Sequence, residues 1–132
     1  RVKTPVSLLD LQATIFAALN RDYPSDWWGS PLQNIKQDDK SRTVFAEYHG
    51  HGVRSSAYMI RKGDWKLIYN VDAEHQLFNL SEDTDELNNL INEREDKFNE
   101  LKKELLKICD PEEESRRAER LIQKQLQEIN EG

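Results

Sequence analysis

The chain has 132 residues, enough for one domain that buries its own core without staples. Apolar residues make up 36%, charged residues 33%, and the net charge of -6 argues against a nucleic-acid partner. One cysteine, Cys109, excludes an internal disulfide, and the longest apolar runs are far too short to span a bilayer. The charge is uneven. Residues 1–79 carry 10 Lys+Arg against 9 Asp+Glu, whereas residues 80–132 carry 9 against 16, which reads as a solvated helical tail. The chain opens at Arg1 and shows no signal-peptide pattern, so cytoplasm and periplasm are both compatible with it.

Residues 1–20 read as a short lead and a helix. Ser7 is placed to cap it, with Asp10 as capping-box partner. Leu8, Leu11, Ile15 and Leu19 recur at helical spacing, Phe16 widens the stripe, and Asn20 is a C-terminal stop. Residues 21–42 form an irregular connector in which Trp27 and Trp28 need a surface to pack on. Strands are expected over Thr43 to Tyr48, Ser56 to Arg61, Asp64 to Asn70 and Gln76 to Asn79, with a tight turn at Gly63-Asp64. Residues 80–132 are expected to be helical. Leu87, Leu90 and Ile91 mark a short helix, and Phe98, Leu101, Leu105 and Ile108 a longer one. Asp110-Pro111-Glu112-Glu113 starts a third, whose apolar side holds Ala118, Leu121, Ile122 and Ile129. The predicted fold class is α+β: a small four-stranded antiparallel sheet packed with C-terminal helices and preceded by one helix.

Few residues carry chemistry. His49 and His51, in Tyr48-His49-Gly50-His51-Gly52, are candidate substrate contacts, because the glycines let backbone approach a ligand and an imidazole can donate to an anion. A zinc site there would need a third ligand, and His75 is the only other histidine. Arg54, in the same loop, is a third candidate substrate contact. Arg61, Lys62 and Lys66 add positive charge beside the hairpin. No catalytic residue and no metal ligand is assigned. The acidic pairs of the tail read as the wet face of amphipathic helices.

Several strings resemble type I, formylglycine-dependent sulfatases of the alkaline phosphatase superfamily. Thr4-Pro5-Val6-Ser7-Leu8-Leu9-Asp10-Leu11 resembles the late helix that closes their large α/β domain. Val44-Phe45-Ala46-Glu47-Tyr48-His49 resembles a strand of their C-terminal subdomain. The run from Tyr58 to Tyr69 resembles its hairpin, and Leu77-Phe78-Asn79-Leu80 with Glu82, Asp83, Glu86, Asn89 and Leu90 the segment after it. Gly29-Ser30-Pro31-Leu32 resembles the segment between, slightly rearranged, and Thr84 stands where the family usually has Pro. Asp110-Pro111-Glu112 and Arg116-Arg117-Ala118 are similar to the tail of choline-sulfatase-like members.

The resemblance implies that residues 1–20 are the last helix of the large domain, 21–42 a connector, 43–79 the sheet of the subdomain and 80–132 its helices. It implies a parent sulfatase that uses calcium and a formylglycine, both held outside this chain. It further implies a sulfate-ester substrate, a missing large domain as partner and an oligomer. Cys109 is no formylglycine precursor, because the C-x-P-x-R motif needs Arg where Glu113 stands. Two alternatives stay open: a stand-alone helical interaction module, and the same subdomain of a phosphonate or phosphate ester hydrolase.

Overall fold

A computed structural model describes residues 2–50 and 55–131. The order is helix α1 (Leu9–Ala18), strands β1 (Thr43–Tyr48), β2 (Ala57–Lys62), β3 (Trp65–Asn70) and β4 (Gln76–Asn79), then helices α2 (Glu95–Leu106) and α3 (Pro111–Glu131). The strands form one antiparallel sheet in the order β1-β2-β3-β4, as an unbroken meander. The expected α+β architecture is therefore present, and each strand lies within a residue of its expected ends. The β2–β3 turn needs a left-handed residue, and Gly63 adopts φ 57° there without steric cost.

Alternation sorts the strand side chains into two faces. Register places Tyr58 opposite Tyr69, and Leu67 opposite both Ile60 and Leu77. These five are buried, with Leu101 and Leu105 of α2 against them and Phe45, Trp65, Phe98 and Ile108 at the margin. The helical spacing of Phe98, Leu101 and Leu105 puts all three on one side of α2, which is why it lies along this face. Fully burying each such side chain contributes roughly 1.5–3 kcal/mol.

The short helix expected around Leu87, Leu90 and Ile91 does not form. Side chains take over the backbone donors that a helix would use. Asp83 Oδ1 accepts the Leu87 N–H at 3.1 Å and Oδ2 the Asn88 N–H at 2.8 Å. Those N–H groups hold the Asp83 carboxyl below its usual pKa. Asn89 Oδ1 accepts the Leu77 N–H at 2.9 Å, and the Leu90 N–H donates to Leu77 O at 2.8 Å. Glu86 sits at φ 56°. Residues 80–94 thus wrap as turns along the open edge of β4, as expected where Asp and Asn compete with the helical ladder.

Most helix ends follow the sequence, but Leu8 rather than Ser7 stands at the N-cap of α1, with no side-chain cap bond. Ser7 N–H donates to Asp10 Oδ2 at 2.7 Å. Asn20, at φ 52°, closes α1 with bonds from the Asn20 and Arg21 N–H groups to Ala17 O and Phe16 O. At α3, Asp110 Oδ1 accepts the N–H groups of Glu112 and Glu113, both at 3.1 Å. Two buried tyrosines tie α3 to the sheet. Tyr58 OH donates to Pro111 O at 3.1 Å, and Tyr69 OH to Glu112 Oε1 at 3.0 Å.

His75 is a structural residue. It stacks between Tyr69, at 4.1 Å between ring centroids, and Phe98, at 5.5 Å, and Nδ1 accepts the Asn70 N–H. Burial, and then the Lys102 ammonium nearby, push its pKa below the ordinary histidine value. The unfolded chain therefore takes up this proton at a higher pH than the folded one. Acidification from pH 7 through the unfolded value of about 6.5 is expected to lower stability until the folded pKa is passed. Replacing His75→Phe keeps the stack and should flatten the slope of Tm between pH 7 and 5; an unchanged slope would discount His75.

Candidate functional site

β1 runs out of the sheet at Tyr48 and delivers His49 to the open end of the β1–β2 connection. The ring packs edge-on against Tyr58, with centroids 5.5 Å apart at 82°. Its Nδ1 lies 2.7 Å from Ser56 Oγ, and its Nε2 lies 3.5 Å from Glu47 Oε2. Both ring nitrogens are thus held by neighbours on the sheet, which fixes the imidazole plane. Gly50 follows because a Cβ there would come within 2.6 Å of the Tyr48 ring. A cleft of about 70 Å³ opens between this end of the sheet and α3, lined by His49, Gly50, Ser55, Ser56, Ser115, Ala118, Glu119 and Ile122. Of the three expected contact residues, His49 lines this cleft, while His51 and Arg54 lie outside the described residues.

Of the remaining basic candidates, Lys62 and Lys66 are paired with carboxylates. Lys62 Nζ meets Glu104 at 2.9 Å and Glu100 at 3.4 Å, and Lys66 Nζ meets Glu86 at 2.6 Å. Arg61 Nε turns back onto Gly63 O at 3.3 Å. Lys62 fastens the hairpin to α2, and Lys66 fastens it to the turns beside β4.

Among the described residues, no three His, Cys, Asp or Glu side chains converge as a metal site. Burial and the nearby Glu47 carboxylate push the Cys109 thiol up, away from the reactive thiolate. Burial also pushes Tyr58 up to about 12, so its hydroxyl stays protonated. Glu113, which stands where a formylglycine motif has Arg, pairs with Arg116 at 3.0 Å and Arg120 at 2.9 Å.

A second constellation was not legible in the sequence as a site. Asp10, expected only as a cap partner, is fully buried. Its Oδ1 accepts from Ser30 N–H at 2.9 Å and from Arg42 Nη2 at 2.7 Å. Burial pushes the carboxyl up, but the Arg42 guanidinium and the N–H groups of Ser30 and Ser7 outweigh it and hold it below the usual value. Arg42 also donates to Pro5 O at 3.2 Å. The lead, α1, connector and β1 thereby converge on one carboxylate. Gly29 lets the connector cross α1 closely, since a Cβ would come within 2.2 Å of Leu9 O.

Around this anchor, α1 buries only Asp10 and Ala13. Leu8 is 83% exposed, Leu19 67%, Ile15 57% and Trp28 71%, with Val6, Leu9, Leu11 and Trp27 also exposed. A helix this apolar and this bare presents a surface built to be covered.

The meander, the helices packed on it and the bare leading helix form a small α+β unit with one apolar surface left uncovered. The chain belongs to the family described as N-sulphoglucosamine sulphohydrolase, C-terminal, which it matches over residues 2–113. It is 32% identical over 104 residues to an uncharacterised protein of Haemophilus influenzae, covering 76% of this chain and 53% of that protein. It is 29% identical over 124 residues to arylsulfatase K of Xenopus laevis, covering 83% of this chain and 23% of the enzyme, and 32% identical over 103 residues to the human arylsulfatase K. The chain thus spans about half of the first of these relatives and under a quarter of the arylsulfatases. A solved structure of BT4656 with its substrate D-glucosamine-2-N,6-O-disulfate superposes with TM-score 0.61 at 25% identity, covering 75% of this chain and 23% of that one. A 2-O GAG sulfatase shares the fold, with TM-score 0.61 at 22% identity. The expected sulfatase C-terminal region is thereby established.

Proposed function

We propose that this chain is the C-terminal subdomain of a sulfuric ester hydrolase, contributing pocket wall and fold support but no catalytic group of its own. The observation that carries this reading is the bare face of α1: Leu8, Leu11 and Ile15, with Trp27 and Trp28 beside them, are exposed around a helix pinned by its one buried charge. A large catalytic domain covering that face accounts for apolar side chains that otherwise stand in water. Such a domain would hold the parent's calcium and formylglycine. The residues present here do not fit either group, because no cluster of metal-binding side chains forms among the described residues and Cys109 is a half-buried thiol facing carboxylates.

The substrate class proposed is a sulfated sugar, in keeping with the disulfated glucosamine described for one structural relative. In this reading the β1–β2 connection forms part of the pocket wall. His49 is held by Ser56 and Glu47 and offers a preoriented imidazole edge, and His51 and Arg54 follow in the same loop. A side chain held in one orientation at a pocket rim selects the leaving group by shape and contact rather than carrying the chemistry.

The test is the double variant His49→Ala and His51→Ala in the full-length enzyme. A loss of about tenfold or more in kcat/KM on the preferred sulfated sugar is expected, equal to about 1.4 kcal/mol, with the fold retained by circular dichroism. Unchanged kcat/KM and unchanged substrate preference would sink the assigned role.

A further inference from the structure

α3 supplies the far wall of the cleft beside His49. Ser115, Ala118, Glu119 and Ile122 fall on one side of that helix by their spacing, and all four line the cleft. Its volume of about 70 Å³ is several times the roughly 10–15 Å³ that one water needs. It is also far below the roughly 300–1,000 Å³ of a pocket that encloses a whole ligand. The cleft therefore has room for one arm of a larger molecule.

Two of its serines are already engaged: Ser55 Oγ donates to Val71 O, and Ser56 Oγ lies against His49 Nδ1. Ser115 differs. It is 3% exposed, yet its hydroxyl makes no hydrogen bond among the described residues. Every side-chain oxygen or nitrogen sealed from solvent among those residues has a partner. The Ser115 hydroxyl is therefore still reachable, and the cleft is the opening that it lines. A hydroxyl so placed gains its partner when a polar group enters. Glu119 stands one turn further on. Arg116 and Arg120 are both paired with Glu113, and Glu119 has no ion pair among the described residues. A second carboxylate, that of Glu47, lies 3.5 Å from His49 Nε2. Among the described residues, no Lys or Arg lines the cleft. A carboxylate accepts from a hydroxyl and repels a sulfate, whereas a sugar hydroxyl can both donate and accept.

We propose that this cleft is a hydroxyl subsite: it takes a free hydroxyl or hydroxymethyl arm of the leaving-group sugar, which donates to Glu119 and accepts from Ser115, and it turns away a sulfate at that position. The inference rests on the sulfatase reading above and names the part of α3 in it. Both residues lie past residue 113, where the family match ends, so the subsite draws on side chains outside the matched stretch. Ala118 and Ile122 supply the apolar wall against which the carbon of the arm packs.

The test measures kcat/KM of the full-length enzyme on three kinds of probe. They are a sulfated methyl glycoside, its analogues with one hydroxyl at a time replaced by hydrogen, and the same sugar with a second sulfate at that hydroxyl. One deoxy analogue should fall by roughly tenfold or more, and Ser115→Ala should bring its ratio to the parent sugar near one, because that variant has lost the partner of the missing hydroxyl. Glu119→Lys should raise kcat/KM on the doubly sulfated sugar, relative to the singly sulfated one, by roughly tenfold. A variant that merely loosened the fold would slow all the sugars alike and leave both ratios where they were. If Ser115→Ala unfolds by circular dichroism, Glu119→Lys decides alone, since Glu119 is exposed. Equal kcat/KM on every deoxy analogue, or ratios untouched by both variants, overturns the proposal. If His49→Ala with His51→Ala lowers kcat/KM while the Ser115 and Glu119 ratios stay put, the sulfatase reading stands and the subsite falls. Ratios that move while the histidine variant is silent keep the subsite and remove the role given to the histidines.

Discussion

Replacing Arg42 with Met is expected to cost about 3–5 kcal/mol, because it leaves the Asp10 carboxylate buried without a counter-charge. Asp10 Oδ1 lies 2.7 Å from Arg42 Nη2, and the Asp10 side chain is only 1% exposed. The depressed Asp10 pKa adds a pH signature. A depressed carboxylate contributes stability that is present above its unfolded value, about 3.9, and is lost as pH falls through its lower folded value. The variant should lose that contribution and be least penalised in strong acid, where Asp10 is protonated. Urea unfolding at pH 7 and pH 3 measures both effects. A penalty below about 1 kcal/mol at pH 7 would mean that the pair behaves as an exposed one. Because Asp10 also accepts from Ser7 and Ser30, removing both charges together should not restore the parent stability: two backbone donors would lose their acceptor.

Leu67→Ala is the second large effect, at about 3–5 kcal/mol. Leu67 is fully buried in the central strand β3, with Ile60 and Leu77 in register on either side and Leu101 and Leu105 of α2 above. A sheet held on two sides and a helix held by the same cluster cannot collapse far into the void, so the cavity term stays large. Domains of this size are stable by about 5–15 kcal/mol, so the change removes a sizeable share. Thermal unfolding should show Tm lower by about 10–20 °C. The contrast is Leu8→Ala on α1, where an exposed side chain should shift Tm little in this chain and much more in a protein whose large domain covers it.

Much of the fold was local information and so could be read from residues in order. Runs of β-branched and aromatic residues placed the strands, Gly63 the hairpin, Asp110-Pro111 the start of α3 and Asn20 the end of α1. Each of these depends on backbone preferences and near neighbours, which a sequence carries directly. The expected helix at Leu87 failed for the complementary reason. Its apolar spacing was visible, but the pull of Asp83 and Asn89 on the backbone depends on the edge of β4 lying alongside.

The bare helix and the poise of His49 divide in the same way. The sequence alone determined that α1 carries an apolar stripe, that the β1–β2 connection holds His49, His51 and Arg54, and that Cys109 lacks its motif arginine. Only the tertiary structure decided that Asp10 is the buried partner of Arg42, that Lys62 and Lys66 are spent on Glu104 and Glu86, and that His49 meets Ser56 and Glu47 beside α3. Burial and charge pairing join residues far apart in the chain, such as Asp10 and Arg42, and no spacing rule encodes which distant carboxylate a given cation will find.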